Sequence, residues 1–185
     1  KNCQICPDAA SREPTHFLTT ISKKPREATM SNIEYFDLPW KDQWEWERSQ
    51  LPTITQKFVE NSKTYAGKDL QRFNPALYNG DSNGKMTWGE VYARVENYAC
   101  GLMSIGLGKQ DMASIMAASG PYWTHADMAL ACANGVSVTI YPTLSFKEAS
   151  YIVNDSGSKF IFLRGDNVLK MMLDGFDEMP KLEKI

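Results

Sequence analysis

Residues 111–163 read DMASIMAASGPYWTHADMALACANGVSVTIYPTLSFKEASYIVNDSGSKFIFL, and this stretch decides the fold. Apolar runs alternate with helical patterns, which predicts three strands and two helices, at residues 112–118, 121–134, 136–141, 145–156 and 160–163. Two successive strand–helix–strand units of this length predict a parallel sheet with right-handed crossovers. The strands lack polar alternation, which predicts burial on both faces. Ligands of such sheets bind at the carboxyl ends of the strands, so we expect a site in the loops there.

Both predicted helices begin and end at recognisable signals. Residues 119–121, Ser-Gly-Pro, supply a cap and a proline that is tolerated at the first helical position. Residues 145–148, Ser-Phe-Lys-Glu, form a capping box, because the hydroxyl and the carboxylate each pair with a free backbone N–H. The helices then stop at Gly135 and Gly157, which we expect to adopt the left-handed conformation.

Length and composition limit the class of protein. A chain of 185 residues with 43% hydrophobic content can bury a core, and one domain plus an extension is expected. The net charge of -2 gives no reason to expect nucleic acid or an anionic membrane as a partner. No apolar run approaches the ~20 residues of a membrane-spanning helix, and residues 1–6 lack the charged-then-apolar order of a signal peptide. We therefore expect a cytoplasmic protein.

The four cysteines agree with that location. Cys100 and Cys132 fall within predicted helices, where a cysteine is most often a small buried hydrophobe. Cys3 and Cys6 have the spacing of half a zinc site or of a redox pair, but no second pair or nearby pair of histidines completes it. We interpret them as a reactive, mobile end and predict no metal site.

The chain is predicted to have three parts. Residues 1–30 are polar, rich in proline and without a period, which predicts a disordered or loosely attached leader. Residues 31–50 place aromatic residues among charges, and this arm is expected to dock on its own domain, with a partner or a lipid surface as alternatives. Residues 51–185 form the main domain. It is expected to continue beyond residue 185, because residues 181–185 read as the start of another parallel strand. A sheet interrupted there would leave an unpaired edge that promotes self-association, such as a homodimer.

Three further helices are predicted around the central stretch. The first covers residues 51–65, the second runs from the capping box of residues 87–90 to Gly106, and the third covers residues 166–176. Their inner faces are expected to hold Ile54, Phe58 and Val59 in the first, Val91, Val95, Tyr98, Ala99 and Leu102 in the second, and Met171, Met172 and Leu173 in the third.

A β-hairpin is predicted before the second of these helices. Residues 76–79 and 85–88 read as short strands, and the glycine-rich residues 80–84 as the turn between them. The turn ends in Gly-Lys, as phosphate loops do, but only three residues separate its glycines and Met86 replaces the required Ser or Thr. We therefore assign residues 80–84 to turn geometry rather than to phosphate binding.

Several motifs together carry a resemblance to a known family. They are Thr87-Trp-Gly-Glu90, Ala99-Cys-Gly-Leu102, Gly106-Leu107, Asp111-Met-Ala-Ser-Ile115, Tyr122-Trp123, Asp127-Met-Ala129, Gly135-Val136, Tyr141-Pro-Thr-Leu-Ser145 and Tyr151-Ile-Val-Asn-Asp-Ser-Gly157. The last two are the most specific. The chain from about Leu51 to Ile185 resembles the amino-terminal part of adenylate-forming, AMP-binding enzymes, and most of all long-chain fatty-acid CoA ligases. The resemblance implies an α/β fold in which a parallel βαβαβ sheet with a preceding β-hairpin forms a truncated amino-terminal subdomain.

The resemblance also implies a two-step reaction. A carboxylate attacks the α-phosphate of ATP to give an acyl adenylate and pyrophosphate, and the thiol of CoA then displaces AMP. Mg²⁺ and a lysine would offset the charge on the phosphate oxygens. The family's Ser/Thr/Gly-rich loop ending in Pro-Lys, its Tyr-Gly-x-Thr-Glu and Thr-Gly-Asp segments and its carboxyl-terminal lysine have no match in residues 1–185. We therefore expect no catalytic residue here, no strong binding of ATP, Mg²⁺ or CoA, and no activity of this chain alone.

Two departures from the family pattern occur within the aligned part. Gln110 stands where a glycine usually precedes Asp111, which should affect the turn more than any chemistry. Residues 119–122, Ser-Gly-Pro-Tyr, replace the usual Asn-x-x-Glu before Trp123, so the hydrogen bonds of those family side chains cannot be carried over.

Residues that follow the predicted parallel strands are the candidates for lining a site. They are Ser119, Gly120, Tyr141, Pro142, Thr143 and Arg164. Pro142 and Thr143 are better explained as the turn that leads into the next helix. His125 has no visible acid or nucleophile as a partner and is expected to be a surface or packed histidine. Helix packing, rather than a fatty-acid pocket, is expected of Tyr122, Trp123, Met128 and Leu130.

The leading hypothesis is the amino-terminal piece of an ATP-dependent long-chain fatty-acid CoA ligase, with fatty acid, ATP and CoA as substrates of the whole enzyme. A ligase for another carboxylate, such as an aryl or medium-chain acid, is the nearest alternative. A stand-alone doubly wound module that binds a nucleotide or a partner protein is an alternative from a different class. The sequence downstream of Ile185 discriminates them, because a Gly-rich loop ending in lysine supports a ligase and an early stop codon does not.

Overall fold

The computed structural model describes residues 52–77 and 83–185. The chain is divided into two compact units, residues 1–58 and residues 59–185. Of the first unit, only residues 52–58 are described. The helix Ile54–Thr64 crosses this boundary, and the other described helices and strands lie in the second unit.

Several predictions concern residues outside the described part of the chain. These are the leader at residues 1–30, the aromatic arm at residues 31–50, the Cys3–Cys6 pair and most of the turn at residues 80–84. They stay predictions.

Helices and strands alternate along the described chain. In order they are α1 (Ile54–Thr64), β1 (Asp69–Arg72), β2 (Lys85–Thr87), α2 (Trp88–Ser104), β3 (Met112–Met116), α3 (Pro121–Cys132), β4 (Val136–Ile140), α4 (Phe146–Ser156), β5 (Phe160–Leu163) and α5 (Asp166–Asp174). Short 3-10 helices cover Pro75–Leu77 and Phe176–Glu178.

The strands β3, β4 and β5 form a parallel sheet in the order β4-β3-β5. Met112 is paired with Val136 and Ala113 with Phe160, and each register then runs without a shift. An isolated parallel bridge joins Phe160 to Lys184 on the outer side of β5. The predicted βαβαβ unit is confirmed, whereas the strand predicted at residues 181–185 forms only this one bridge.

Both faces of the central strand β3 are covered. Residues Ala113 to Met116 have no exposed surface. The β3-to-β4 and β4-to-β5 connections cross the sheet in opposite directions, so right-handed crossovers place α3 on one face and α4 on the other. Under α4 and α5 lies a core of Met116, Ile140, Ala149, Val153, Ile161, Met172, Met179 and Leu182. Burial on both faces was predicted for all three strands, but it is wrong for β4, whose Val136 is exposed at the edge of this sheet.

Of the three helix N-caps predicted from the sequence, those of α2, α3 and α4, two form as predicted. The capping boxes of α2, Thr87 with Glu90, and of α4, Ser145 with Glu148, both form. The cap predicted for α3 is wrong in detail, because Gly120 occupies the N-cap position and no side chain caps the helix. Its first residue, Pro121, lacks an N–H, so one of the donors that a cap would satisfy is already absent.

At the carboxyl-terminal ends of α3 and α4, one of the two predicted left-handed glycines is confirmed and the other is wrong. Gly157 is left-handed with φ 69°, as predicted. After α3, however, Asn134 and not Gly135 takes the left-handed conformation, with φ 59°. The Gly135 N–H donates to the Leu130 carbonyl at 2.8 Å, which closes a Schellman motif. Gly135 is needed for space instead, because a Cβ there would lie 3.1 Å from the Leu107 side chain.

The hairpin prediction has the correct second strand and the wrong first strand. Antiparallel pairing joins β2 to β1 at Asp69–Arg72, and residues 76 and 77 of the predicted strand lie instead in the 3-10 helix Pro75–Leu77. The Asn74 side chain accepts the N–H of Ala76 at 3.0 Å, so the chain turns where a strand was expected. The sequence of β1, DLQR, has no apolar alternation from which it could be recognised.

Most inner-face residues of the helices are buried as predicted. Ile54, Tyr98 and Leu173 are exceptions with exposed side chains, and Met171 is only half-buried. Within the predicted helical cysteines, Cys132 is buried and Cys100 half-buried. Tyr98 and Leu173 lie at the borders of their helices' apolar faces, where a small rotation of the helix decides exposure.

A tight turn at residues 108–111 leads into β3. The Gly108 N–H donates to the Asp111 carboxylate at 2.8 Å, and the same carboxylate pairs with Lys159 at 2.8 Å. Gln110, which replaces the family's glycine, has φ 63° and donates its N–H to the Asn134 carbonyl at 2.7 Å. The turn therefore forces a residue with a side chain into the left-handed region.

Replacing Gln110 with glycine should therefore raise the free energy of unfolding by roughly 0.5–1 kcal/mol, since glycine adopts this φ without steric strain. Urea denaturation of the two proteins measures the difference. Lys109→Gly is the matched control, because Lys109 does not have a positive φ and glycine there adds only unfolded-state entropy. Equal destabilisation by both changes would show that the Gln110 backbone carries no strain.

Candidate functional site

A groove of about 640 Å³ opens beside α2, over the sheet. Its lining residues come from α2, β3, the start of α3 and the end of β5. They are Asn97, Tyr98, Gly101, Leu102, Ser104, Ile105, Ile115, Ala117, Tyr122, Trp123, Ala126, Phe162, Leu163 and Arg164. Aliphatic and aromatic side chains dominate, and its size lies within the range of small-molecule sites.

The parallel sheet provides the floor of the groove. Ile115 of β3 and Phe162 of β5 are register partners, so their side chains emerge side by side on the same face. The helices α2 and α3 pack against each other on this face, and α2 forms one long wall with residues 97–105. The groove therefore lies at the point where α2 and α3 no longer cover the sheet and the surface of β5 on that face becomes accessible.

The groove has a cationic side chain, Arg164, at the carboxyl end of β5. Arg164 follows β5 directly, and its N–H donates to the Met116 carbonyl at 3.3 Å, which extends the pairing of β5 with β3. The guanidinium carbon lies 5.2 Å from the centre of the Tyr122 ring, a cation–π distance. Of the described residues that line the groove, Arg164 alone carries a charge.

The wall formed by α2 is unusually open at Gly101. No heavy atom lies within 4 Å of the position that a Cβ would occupy there. Tyr98 and Ile105, one turn before and one turn after, are 37% and 47% exposed. The groove is thus bordered by exposed apolar side chains with a gap between them.

A buried histidine, His125, lies next to the aromatic rings of Tyr98 and Tyr122. His125 has no exposed surface, and its Nε2 lies 2.9 Å from Oε1 of Gln71. The rings of Tyr98 and Tyr122 meet it edge-on, with centroids 6.4 and 6.3 Å away. Burial, with a smaller contribution from the charge of Arg94, lowers the pKa of His125 to about 4. It is therefore neutral at pH 7, with Nε2 donating to the Gln71 oxygen, and it is the packed histidine that the sequence predicts.

The structure places the six candidate residues at one edge of the sheet but brings only one of them into the groove. Arg164 lines it, and Ser119, Gly120, Tyr141, Pro142 and Thr143 do not. The turn after β4 contains Pro142 and Thr143, where the Leu144 N–H donates to the Tyr141 carbonyl at 3.2 Å. The Tyr141 side chain is exposed. These residues lead the chain into α4, in keeping with the turn interpretation.

Sequence reasoning missed most of the groove. It assigned Tyr98 to the core of α2, and Tyr122 and Trp123 to helix packing, whereas all three are groove-lining residues. Gly101 offers the one signal that was available, because a glycine in a helix interior costs stability and calls for a reason. Leu130, in contrast, is fully buried, as expected of packing.

The described residues do not fit a magnesium ion. No group of three or more His, Cys, Asp and Glu side chains is placed to hold a metal in the described ranges. The N-terminus of α3, which follows β3, is also a poor phosphate site. Its N-cap is Gly120 and its first residue is Pro121, so neither residue is charged and Pro121 has no N–H to donate.

None of the described helices is long and apolar enough to cross a membrane.

Comparison with known families identifies the fold. The model of the AMP-binding enzyme family matches residues 68–184, which include both β-sheets and the whole groove. This chain belongs to the AMP-binding enzyme family. The resemblance noticed in the sequence motifs is thereby confirmed.

Relatives of this AMP-binding chain include two proteins of different length. An uncharacterized protein of Mycobacterium tuberculosis, Rv1549, is 26% identical over 100 residues, which cover 54% of this chain and 57% of that protein. Long-chain-fatty-acid–CoA ligase 1 of Schizosaccharomyces pombe is 25% identical over 132 residues, which cover 71% of this chain and 19% of the ligase. The AMP-binding chain therefore spans little more than half of one relative and about a fifth of the other.

A solved structure supports the fold of the AMP-binding chain. The anthranilate CoA ligase AuaEII, in complex with anthranoyl-AMP, superposes with a TM-score of 0.64 and 18% sequence identity. The superposition covers 74% of this chain and 26% of the ligase. The predicted α/β fold of an acyl-CoA ligase amino-terminal region is thus confirmed.

Proposed function

We propose that this chain is the amino-terminal part of an ATP-dependent acyl-CoA ligase that acts on long-chain fatty acids. The whole enzyme converts a carboxylate and ATP into an acyl adenylate and pyrophosphate, and then transfers the acyl group to the thiol of CoA with release of AMP. The family match over residues 68–184 carries this proposal. The fatty-acyl substrate is supported by the ligase of Schizosaccharomyces pombe, at 25% identity.

Within that enzyme, this chain acts as a scaffold for the site rather than as its source of reactive groups. Among the described residues, no carboxylate or thiol is a hydrogen-bond partner of the neutral, buried His125, and those that line the groove include one cation and no carboxylate. The nucleotide-binding loop and the lysine that the chemistry requires have no counterpart in the 185 residues. ATP, Mg²⁺ and CoA are therefore proposed as ligands of the whole enzyme, and the chain alone is proposed to be inactive.

An aryl acid is the second candidate for the substrate. Four aromatic side chains, Tyr98, Tyr122, Trp123 and Phe162, line the groove, and aromatic walls suit a planar ring. The fold neighbour AuaEII is titled an anthranilate CoA ligase. The cytoplasmic location and a homodimer stay predictions beside both candidates.

Release of AMP tests the proposal. The complete polypeptide encoded by the gene is expected to release AMP from ATP, CoA and palmitate faster than from ATP, CoA and anthranilate. The 185-residue chain, assayed in parallel at equal concentration, is expected to release none. Turnover by the 185-residue chain would refute the assignment of the reactive groups elsewhere. A complete polypeptide that releases no AMP with either acid would favour a binding module over a ligase.

A further inference from the structure

Asparagine is followed directly by glycine at three places in the chain, Asn79-Gly80, Asn83-Gly84 and Asn134-Gly135. In such a pair the main-chain nitrogen of the glycine can attack the side-chain amide carbon of the asparagine, because the glycine has no side chain to obstruct the approach. The first pair lies outside the described residues, whereas the surroundings of the other two are described. The two described pairs are held in opposite ways.

The pair Asn83-Gly84 has few restraints. Asn83 is exposed, and Gly84 directly precedes β2. Neither the Gly84 N–H nor the Asn83 side chain makes a hydrogen bond with another residue in the described part of the chain. The nitrogen that would attack therefore has no hydrogen bond to give up, and the amide that it would attack is not tied to a partner.

The turn itself requires the glycine of this pair. Gly84 has φ 75°, and a Cβ there would lie 2.7 Å from the carbonyl oxygen of Phe73. The Gly84 carbonyl also accepts the Phe73 N–H at 2.8 Å, beside the pairing of β1 with β2. A residue with a side chain, which would slow the attack on Asn83, is therefore excluded by the turn geometry.

The peptide unit between Asn134 and Gly135 is anchored at both of its polar atoms. The Gly135 N–H donates to the Leu130 carbonyl at 2.8 Å, and the Asn134 carbonyl accepts the Gln110 N–H at 2.7 Å. Gly135 is also closely packed, since a Cβ there would lie 3.1 Å from the Leu107 side chain. Attack by the Gly135 nitrogen therefore requires local opening at the carboxyl end of α3.

We propose that Asn83 is a site of spontaneous modification in the folded chain, whereas Asn134, with the same neighbour, is protected by the fold. The Gly84 nitrogen forms a bond to Cγ of Asn83, the Cγ–Nδ2 bond breaks, and ammonia leaves with the amide proton. Water then opens the cyclic imide at either carbonyl, which gives aspartate or isoaspartate. Both products add a negative charge, and isoaspartate also adds one main-chain carbon directly before Gly84. This inference is independent of the proposed function.

Mass spectrometry of the 185-residue chain tests the proposal after incubation at neutral pH in water labelled with heavy oxygen. Each conversion inserts one labelled oxygen, so changes that arise during digestion in ordinary water are not counted. Trypsin releases residues 73–85 and 110–147, and fragmentation of the first peptide separates Asn83 from Asn79. We expect Asn83 in the folded chain to convert at least about tenfold faster than Asn134, because only Asn134 requires local opening.

Two controls separate the effect of the fold from that of the sequence. In urea, which removes the hydrogen bonds of Gly135, the difference between the two rates should disappear. Asn83→Gln should abolish labelling at position 83, because the longer side chain would have to close a larger ring, and should leave the rate at Asn134 unchanged. Circular dichroism before and after incubation checks that the chain is folded.

Four results would overturn the proposal. They are equal rates at Asn83 and Asn134 in the folded chain, a difference that persists in urea, labelling confined to Asn79, and an unlabelled Asn83 after the time in which the chain in urea has fully converted. None of these measurements involves ATP, CoA or a carboxylic acid, so the AMP-release test of the proposed function is unaffected by their outcome.

Discussion

Gly175→Ala is expected to lower the free energy of unfolding by about 3 kcal/mol, the upper part of the range for overpacked cores. A Cβ at Gly175 would overlap the end of the Phe146 ring, with Cε1 2.8 Å away and two further ring atoms nearer still. Phe146 is the first residue of α4 and packs against the core beneath α4 and α5. The ring cannot move aside without giving up those contacts, so the cost is one of packing.

The backbone at Gly175 makes this interpretation testable. Its φ is -107°, which any residue adopts, so alanine introduces no backbone strain. Gly106 is the opposite case, because its φ is +108° and no atom lies within 4 Å of an added Cβ. Gly106→Ala therefore measures strain alone, at about 1–2 kcal/mol.

Urea denaturation of a double-mutant cycle decides the cause at Gly175. Phe146→Leu shortens the side chain and should itself destabilise the protein, but it should also make Gly175→Ala much less costly. Strict additivity of the two changes would contradict a clash with Phe146. Gly106→Ala combined with Phe146→Leu is the control and should be additive, since Gly106 has no neighbour to relieve.

Lowering the pH from 7 to 5 is expected to reduce the free energy of unfolding by about 2 kcal/mol through His125 alone. Its pKa is about 4 in the folded chain, below the ordinary 6.5 that applies when the chain is unfolded. Between these two values the unfolded state binds a proton that the folded state excludes. Stability therefore falls as the pH drops from 6.5 towards 4, and this contribution changes no further outside the window.

Burial is the physical reason for this dependence. Protonated His125 would place a charge among the rings of Tyr98 and Tyr122 with no exposed surface, and the nearby charge of Arg94 would oppose it. The Nδ1 atom has no hydrogen-bond partner in the described part of the chain, so no acceptor there awaits the added proton. Acidification should therefore open the α2–α3 side of the fold first.

His125→Gln is the variant that isolates the effect. Its own stability is not the readout; the readout is the difference between its unfolding free energies at pH 7 and pH 5, which should be smaller than in the unaltered chain by about 2 kcal/mol. Three carboxyl groups also have pKa values lowered by hydrogen bonds, namely those of Glu90, Asp111 and Glu148. Their stabilising effect is lost only as the pH falls below their ordinary pKa values of 4.5 or less, outside this interval. Equal pH dependence of the two proteins would contradict a depressed His125 pKa.

Local chemistry could be predicted from the sequence because its partners are three or four residues apart. The capping boxes at Thr87 and Ser145 are of this kind, and both form. The strands β3, β4 and β5 were recognisable because each is an apolar run between helix signals. The left-handed residue after α3 was misplaced by one position, since Asn134 tolerates that conformation nearly as well as glycine does.

Features that depend on contacts between residues far apart in the sequence could not be predicted. β1 has no apolar pattern, and its place is decided by pairing with β2 across a loop that includes residues 75–77. The groove joins Tyr98, Tyr122 and Phe162, which become neighbours only when α2, α3 and β5 meet. A motif search cannot find such a surface, because no short stretch contains it. Arg164, the one candidate that lines the groove, came from the strand-end rule, which refers to topology and not to local sequence, and its role in a site stays a prediction.

The order β4-β3-β5 also has a consequence for how the chain acquires its fold. β3 is synthesised before both of its partners, so each later strand finds the centre of the sheet already made. Met112 and Val136 are 24 positions apart, and Ala113 and Phe160 are 47 apart. The longer closure adds only about 0.6 kcal/mol of chain entropy. Growth outward from the centre, in the direction of translation, is therefore expected to let the sheet assemble on the ribosome, strand by strand, with little backtracking.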